Sequence, residues 1–254
     1  MKPKLVLFDI FSYSCMNCLR SLEYIKRINK KYKKFGLETI IIHPPEWEFE
    51  KNKNNIKSAL KKYNIKFRIK IDKDRKIIRK FNVNFWPTQI LVHGNKLVYK
   101  HAGEGNYKKL EESLIKHLEI NIKKIFNNEP KYTKIPTIYC GKRTKGLISK
   151  SNKELKFGTV YTDKNWVQKD EYLQSLADNS SLTMLTKGTI ANFVAKSINN
   201  KSIKIKIILN NKLIKGLVIN KPQLYQIIKS KNSAQKQLTI IAPENLAVYS
   251  FSFQ

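Results

Sequence analysis

The chain has 254 residues, 41% of them hydrophobic, which suits one large domain or two ordinary ones and excludes wholesale disorder. The 50 Lys and Arg residues against 19 Asp and Glu give a formal charge of +31, and three cysteines are too few for a disulfide framework. Lysine supplies most of this excess and is spread along the chain, so we expect non-specific binding to polyanions and no specific nucleic-acid partner. No apolar run is long enough to span a bilayer and no signal peptide is recognisable, which predicts a soluble, cytoplasmic chain.

Two closely spaced cysteines follow the first predicted strand. Leu5–Phe11 is almost continuously apolar, as in a strand buried on both faces, and Leu19–Phe35 repeats apolar residues at helical spacing. Between them lie Cys15 and Cys18, three residues apart, so on a first helical turn their sulfurs can reach bonding distance. The helix N-terminus favours a thiolate on the first cysteine. The pattern predicts a redox-active thiol pair, and the alternatives are a buried pair or half of a zinc site.

Asp9 interrupts the apolar strand that precedes the cysteines. A buried carboxylate is costly unless it has a partner or a chemical task. We interpret Asp9 as a proton acceptor for Cys18, and a salt bridge to a lysine is the alternative.

The rest of the first half continues the alternation of strands and helices. The predicted elements are a strand at Thr39–His43, a helical segment at Glu46–Tyr63, a strand at Lys66–Asp72, a helix at Arg75–Phe81, strands at Gln89–His93 and Lys96–Lys100 joined by a Gly94-Asn95 turn, and a helix at Tyr107–Ile125. This β-α-β-α-β-α-β-β-α order predicts a single α/β domain.

These motifs together resemble the thioredoxin superfamily. The resemblance rests on the Cys15–Cys18 motif, on Asp9 six residues before it, on Trp86-Pro87-Thr88, and on the hairpin that leads to Gly103. A narrower resemblance, to the TlpA-like domain of DipZ-type thiol–disulfide interchange proteins, is carried by three segments: Tyr13–Arg20, His43–Trp47 and Gly103–Tyr107.

The resemblance implies roles for individual residues. Cys15 is expected to be the nucleophile, Cys18 the resolving thiol and Asp9 the base, with no metal and no cofactor beyond the Cys15–Cys18 disulfide. Pro87 is expected to be cis. The residues expected to bind substrate are Trp86, Pro87, Thr88, Tyr13 and Phe11, with core packing as the alternative for the aromatic ones. The residues expected to border the site are Met16, Asn17, His43 and Glu46.

The second half has a different pattern. Residues 129–136 are predicted to be a linker, and residues 137–254 contain short alternating runs separated by turn signals, which predict a jelly-roll-like β-sandwich. The predicted strands are Leu155–Tyr161, Ser181–Thr186, Ile190–Ile198, Ile203–Leu209, Leu213–Val218, Gln237–Ile241 and Ala247–Phe253. The segment resembles the carbohydrate-binding-like sandwich of DipZ-type proteins, which implies a docking module, or a sugar site in which Trp166 and Tyr172 stack on the ligand.

The sequence therefore predicts an α/β thioredoxin-like domain at residues 1–128 followed by a β-sandwich domain. The predicted function is that of a thiol–disulfide oxidoreductase acting on protein disulfides. The resemblance implies a CcdA-like membrane electron donor and an extracytoplasmic, membrane-associated setting. The alternatives are a non-enzymatic scaffold protein on the same fold and a basic polyanion-binding protein.

Overall fold

The computed structural model describes residues 5–123, 135–151 and 154–254. The chain divides into two compact units, Met1–Tyr132 and Thr133–Gln254. Most of the predicted linker, residues 129–134, lies outside the described residues.

In its described residues, 5–123, the first unit is a five-stranded sheet with four α-helices. Its elements are β1 (Leu5–Ile10), α1 (Met16–Tyr32), β2 (Leu37–His43), α2 (Lys53–Lys62), β3 (Arg68–Ile71), α3 (Lys76–Lys80), β4 (Thr88–His93), β5 (Lys96–Ala102) and α4 (Tyr107–Leu118). The strand order is β3-β2-β1-β4-β5. Strands β1, β2 and β3 are parallel, whereas β4 is antiparallel to both β1 and β5. This arrangement confirms the predicted α/β thioredoxin-like fold.

Strand β1 lies at the centre of the sheet because it is apolar on both faces. Leu5 and Leu7 pack in a cluster with residues of α1 and α4, and Ile10 belongs to a second cluster with Ile42 and Ile90. Each such fully buried aliphatic side chain contributes roughly 1.5–3 kcal/mol to folding. The burial of β1 thus determines the position of the segment that joins it to the cysteines.

Three predicted helix boundaries were wrong. Helix α1 begins at Met16, so it already includes Cys18. The segment predicted as one helix from Glu46 to Tyr63 is a 3₁₀ turn at Glu48–Lys51 followed by α2, because the Asn52 side chain caps α2 through the amides of Asn54 and Asn55. Helix α4 ends at Leu118, well before Ile125, because Glu119 adopts the left-handed conformation (φ 54°) that terminates helices.

The second unit is built of strands alone apart from a 3₁₀ turn at Lys142–Thr144 within the described residues. Its strands are β6 (Ile138–Tyr139), β7 (Leu147–Ser149), β8 (Thr159–Thr162), β9 (Trp166–Gln168), β10 (Leu173–Ser175), β11 (Ser180–Thr186), β12 (Ile190–Ser197), β13 (Ile203–Leu209), β14 (Lys212–Ile219), β15 (Gln223–Lys229), β16 (Lys236–Ala242) and β17 (Leu246–Phe253). One sheet has the order β15-β12-β17-β10-β9 with β6 on β17, and the other the order β14-β13-β16-β11-β8-β7.

The two sheets of this unit share one hydrophobic core. Phe193 and Phe251 from the first sheet belong to the same buried cluster as Ile207 and Ile240 from the second. This shared core makes the unit a β-sandwich, as predicted.

The sequence patterns missed the shortest strands of the sandwich. Strands β6, β7, β9 and β10 have two or three residues each, too few to show an alternation. The patterns also missed β15, which has seven residues, because its buried positions do not alternate regularly with exposed ones. Asn210 and Asn211, which join β13 to β14, both have positive φ (47° and 64°), as a type I′ hairpin requires. Trp166 is 4% exposed and belongs to the core of the sandwich, which argues against the expectation that it stacks on a sugar.

Within the described residues, no helix combines the length and the apolar character needed to cross a membrane.

Candidate active site

Cys15 and Cys18 occupy the start of α1. Cys15 is the N-cap residue, with an extended backbone, and its Sγ accepts a hydrogen bond from the Cys18 amide at 3.4 Å. Both cysteines are free thiols; Cys15 is partly exposed, whereas Cys18 is fully buried. Of these two sulfurs, only that of Cys15 is therefore accessible to another molecule.

A cis peptide bond lies beside the first cysteine. The Trp86–Pro87 bond is cis, as predicted, and it immediately precedes β4. The Trp86 carbonyl oxygen is 3.9 Å from Cys15 Sγ, and the Thr88 hydroxyl donates to the Phe85 carbonyl at 2.6 Å. The Pro87 loop thus presents backbone, rather than a side chain, toward the sulfur.

Asp9 is the penultimate residue of β1, the strand that precedes the cysteines. It is fully buried, and its Oδ1 accepts a hydrogen bond from the Gln89 side-chain amide at 3.2 Å. Gln89 is the residue directly opposite Asp9 in the β1–β4 register, and it also donates to the hydroxyl of Ser21 in α1. Within the described ranges, Oδ2 of Asp9 has no hydrogen-bond partner. Burial raises the pKa of Asp9 to about 7, and the Gln89 bond opposes part of that rise.

Burial likewise raises the pKa of Cys18 well above its ordinary value. The hydrogen bond and the negative charge of Cys15 add to the rise, and the negative charge of Asp9 adds further. Gln89 joins Asp9 to Ser21, which lies one turn after Cys18 on α1. A carboxylate with a pKa of about 7 is thereby linked through one side chain to the helix that carries the buried Cys18 thiol.

A buried carboxylate, Glu50, holds the loop that leads into α1. The hydroxyls of Ser12 and Ser14 donate to its Oε1 at 2.8 and 2.7 Å, and the amide of Glu46 donates to its Oε2 at 2.7 Å. His43 supports the same loop, since its Nδ1 donates to the Phe11 carbonyl at 2.9 Å. The residues just before Cys15 are thus anchored to the segment that follows β2.

Trp86 is held by two charged side chains. Its indole N–H donates to Oε2 of Glu46 at 3.1 Å, and the Arg75 guanidinium carbon lies 6.0 Å from the ring centroid. Through this contact the Glu46 carboxylate lies next to the residue that precedes the cis Pro87.

An ion pair joins the start of α1 to the loop after β5. Arg20 donates to both carboxylate oxygens of Glu104 at 2.7 and 2.6 Å and to Oδ1 of Asn17 at 2.6 Å. The side chains of Arg20 and Glu104 are only 12% and 9% exposed. The pair links the first turn of α1 to the Gly103–Gly105 loop and orients Asn17.

The predicted substrate-binding residues do not all face solvent. Phe11 and Tyr13 are 1% and 3% exposed, and Tyr13 stacks on His43. Their burial favours core packing over substrate contact. The Thr88 side chain is also fully buried, so it contacts the backbone of the Pro87 loop and not the solvent. Trp86, by contrast, is partly exposed. Met16 is partly exposed at the start of α1.

The sequence patterns did not single out Gln89, Glu50, Arg20 or Glu104 as site residues. One usable signal was present: the chain has only 19 acidic residues, and Glu50 and Glu104 both lie in or beside the segments that carry the family resemblance. Gln89 gave no such signal, because its importance depends on the residue that faces it across the sheet.

No group of three or more His, Cys, Asp or Glu side chains within 5–123, 135–151 and 154–254 is arranged to hold a metal ion.

Two family models match the chain. The Redoxin model matches residues 2–115, and the model of the thioredoxin-like C-terminal domain matches residues 150–253. The first unit matches the Redoxin family and has a thioredoxin-like fold. The order of the two matched domains accords with the resemblance to DipZ-type proteins.

Curated relatives match the first unit. The chain is 32% identical over 113 residues to SUPPRESSOR OF QUENCHING 1 of Arabidopsis thaliana, covering 44% of the chain and 11% of that protein. It is 31% identical over 120 residues to DipZ of Mycobacterium tuberculosis, covering 46% of the chain and 17% of DipZ. It is 32% identical over 117 residues to the thiol-disulfide oxidoreductase ResA of Bacillus cereus, covering 46% of the chain and 65% of ResA. The chain thus spans a small part of the first two relatives.

Among solved structures, a putative thiol:disulfide interchange protein DsbE from Chlorobium tepidum matches with a TM-score of 0.41 and 20% identity, over 46% of the chain and 82% of that structure. The fold assignment rests on the strand order and connectivity of the chain itself.

Proposed function

We propose that the protein is a thiol–disulfide oxidoreductase that exchanges disulfides with protein substrates through Cys15 and Cys18. The observation that carries this proposal is the pairing of an accessible Cys15 with a buried Cys18 on one helical turn. The similarity to DipZ and to ResA, a thiol-disulfide oxidoreductase, supports it.

In the first step, the Cys15 thiolate attacks one sulfur of the substrate disulfide. The substrate S–S bond breaks, a Cys15–substrate mixed disulfide forms, and the other substrate sulfur leaves as a thiolate. The Cys18 amide, which donates to Cys15 Sγ, stabilises negative charge on the attacking sulfur. An extended substrate segment would run along the Trp86 carbonyl, 3.9 Å from that sulfur.

In the second step, Cys18 attacks Cys15 Sγ and releases the second substrate thiolate. The Cys15–Cys18 disulfide forms, so the substrate gains two electrons and the protein loses two. Cys18 must lose its proton in this step, and Asp9 accepts it because its raised pKa lies near neutrality. The same steps in reverse oxidise a substrate dithiol.

Repeated reduction of substrates needs a dithiol donor for the Cys15–Cys18 disulfide. On the resemblance to DipZ-type proteins, we propose a CcdA-like membrane carrier as that donor. For the β-sandwich unit we propose docking of the substrate or of the donor. A carbohydrate ligand for that unit stays a prediction.

Insulin reduction with dithiothreitol as the electron source tests the proposal. We expect Cys15→Ser to abolish turnover, and we expect Cys140→Ala to retain it, because Cys140 is buried in the second unit. Unchanged turnover in Cys15→Ser would refute the enzymatic role.

A redox titration separates this role from that of a scaffold protein, which need not show a reversible two-electron couple. Tight binding to nucleic acid at physiological salt, independent of the thiols, would instead support the polyanion-binding alternative.

A further inference from the structure

A basic cleft lies at the end of β3, on the first unit. Its volume is about 520 Å³, within the range of ligand-binding clefts. It is lined by Lys53, Lys70, Ile71, Asp72, Lys73, Asp74, Lys76 and Ile77. All four lysines are exposed, so their ammonium groups are available to a partner.

One of the two carboxylates in the cleft is already engaged. Asp72 is 5% exposed, and its two oxygens accept hydrogen bonds from the amides of Ile77 and Ile78 at the start of α3. Asp74 is exposed and offsets one lysine. The cleft therefore keeps a net positive charge between two apolar side chains, Ile71 and Ile77.

The cleft connects to the site through Arg75. The Arg75 side chain donates to the Pro45 carbonyl at 3.4 Å and lies over Trp86, whose carbonyl oxygen faces Cys15. Arg75 has a left-handed backbone (φ 57°), which a residue with a long side chain rarely adopts. On the same turn, the Asp72 amide donates to the His43 carbonyl at 2.9 Å. The basic surface thus runs from the cleft to the tryptophan beside the reactive sulfur.

We propose that this cleft binds an acidic segment of the substrate protein that flanks the disulfide attacked by Cys15. The inference rests on the proposed function and adds a substrate class to it. Carboxylates of the segment pair with the cleft lysines and Arg75, while its apolar atoms pack on Ile71 and Ile77. The lysines thereby direct acidic substrates toward the Trp86 edge of the site.

The test uses the full-length reduced protein and two disulfide peptides that differ only in their flanks, one with four Glu and one with four Gln. The measured quantity is the second-order rate constant for oxidation of the protein by each peptide. One variant carries Lys70→Gln, Lys73→Gln and Lys76→Gln. The matched control carries Lys30→Gln, Lys33→Gln and Lys34→Gln, which remove the same total charge. These three lysines are exposed and lie at the C-terminal end of α1, away from the cysteines.

We expect the parent to react about 10-fold faster with the acidic peptide at low salt, as three exposed ion pairs would give. The preference should disappear in the cleft variant, survive in the control and weaken as salt rises. Partial unfolding of a variant would lower the rate constants for both peptides by the same factor and leave their ratio unchanged. A change in the ratio of the two rate constants therefore reports on the cleft.

The inference would be overturned if the parent and the cleft variant showed the same preference for the acidic peptide. It would also be overturned if the control variant lost that preference to the same extent as the cleft variant, because the total charge of the protein would then be the cause. In both cases, reaction with the neutral peptide leaves the proposed function standing. A parent that reacts with neither peptide would overturn the proposed function together with the inference.

Discussion

The side-chain amide of Gln89 donates a 3.2 Å hydrogen bond to Oδ1 of Asp9, the residue it faces across the β1–β4 ladder. Burial raises the pKa of Asp9 and this bond opposes part of the rise, so that the resulting pKa is about 7. Gln89 therefore helps to set the pH at which Asp9 can accept the Cys18 proton.

Removing this bond should shift the pH dependence of the reaction. In Gln89→Leu we expect the pKa of Asp9 to rise further above its ordinary value, because burial then acts unopposed. The alkaline rise in the rate of the resolving step should move to higher pH, as measured by rapid-quench analysis of the mixed disulfide. Ser21→Ala is the control, since it removes the other partner of Gln89 and leaves the Asp9 bond. A profile that stays in place in Gln89→Leu would contradict this role.

Asp9 should also make the first unit less stable as the pH rises. Its pKa is about 7 in the folded chain and 3.8 ordinarily, so the unfolded chain loses its proton first. The destabilisation is absent below pH 3.8, grows as the pH rises, and is complete above about pH 7, where it reaches about 4 kcal/mol.

Asp9→Asn should therefore stabilise the first unit at pH 8 and have little effect near a pH of about 3.5. Amide hydrogen exchange of β1, measured at both pH values, reports on this unit alone. An effect of equal size at the two pH values would argue against a buried carboxylate as its source.

Glu50 should be required for the geometry of the loop before Cys15. Glu50→Gln turns one acceptor oxygen into a donor, which leaves a buried hydroxyl or amide without an acceptor and costs about 2 kcal/mol. We expect the free energy of unfolding, measured in urea, to fall by that amount. We also expect iodoacetamide to alkylate Cys15 more slowly. Glu48→Gln is the matched control, because Glu48 is 73% exposed and its pair with Lys51 contributes under about 0.5 kcal/mol. Equal effects of the two substitutions would refute the anchoring role.

The Arg20–Glu104 pair should contribute more than the exposed pair on the same helix. Glu104→Gln leaves the largely buried guanidinium of Arg20 without its carboxylate and should cost about 2 kcal/mol. Glu23→Gln breaks the pair with Lys26, in which Glu23 is 69% exposed, and should cost less than about 0.5 kcal/mol. Thermal unfolding of both variants measures the difference, and similar midpoints would show that the buried pair is energetically neutral.

Local patterns predicted most of the framework. The apolar run of β1, the amphipathic repeat of α1 and the hairpin around Gly94 each follow from neighbours in the sequence, and their order gives the thioredoxin-like topology. The ends of helices were harder. The end of α4 is set by the backbone of one residue, Glu119, whose left-handed conformation no periodicity reveals.

The sequence by itself determined the chemical groups of the site: Cys15 and Cys18 at a strand-to-helix junction, Asp9 in the strand before them, and Pro87 before a later strand. Only the tertiary structure decided what acts on those groups. Gln89 is 80 residues from Asp9, and Glu50 is 36 residues from Ser14, yet each pair is joined by a hydrogen bond. Such contacts depend on strand register and on the packing of loops over the sheet. Register is fixed by the burial of a whole face at once, so no short segment encodes it.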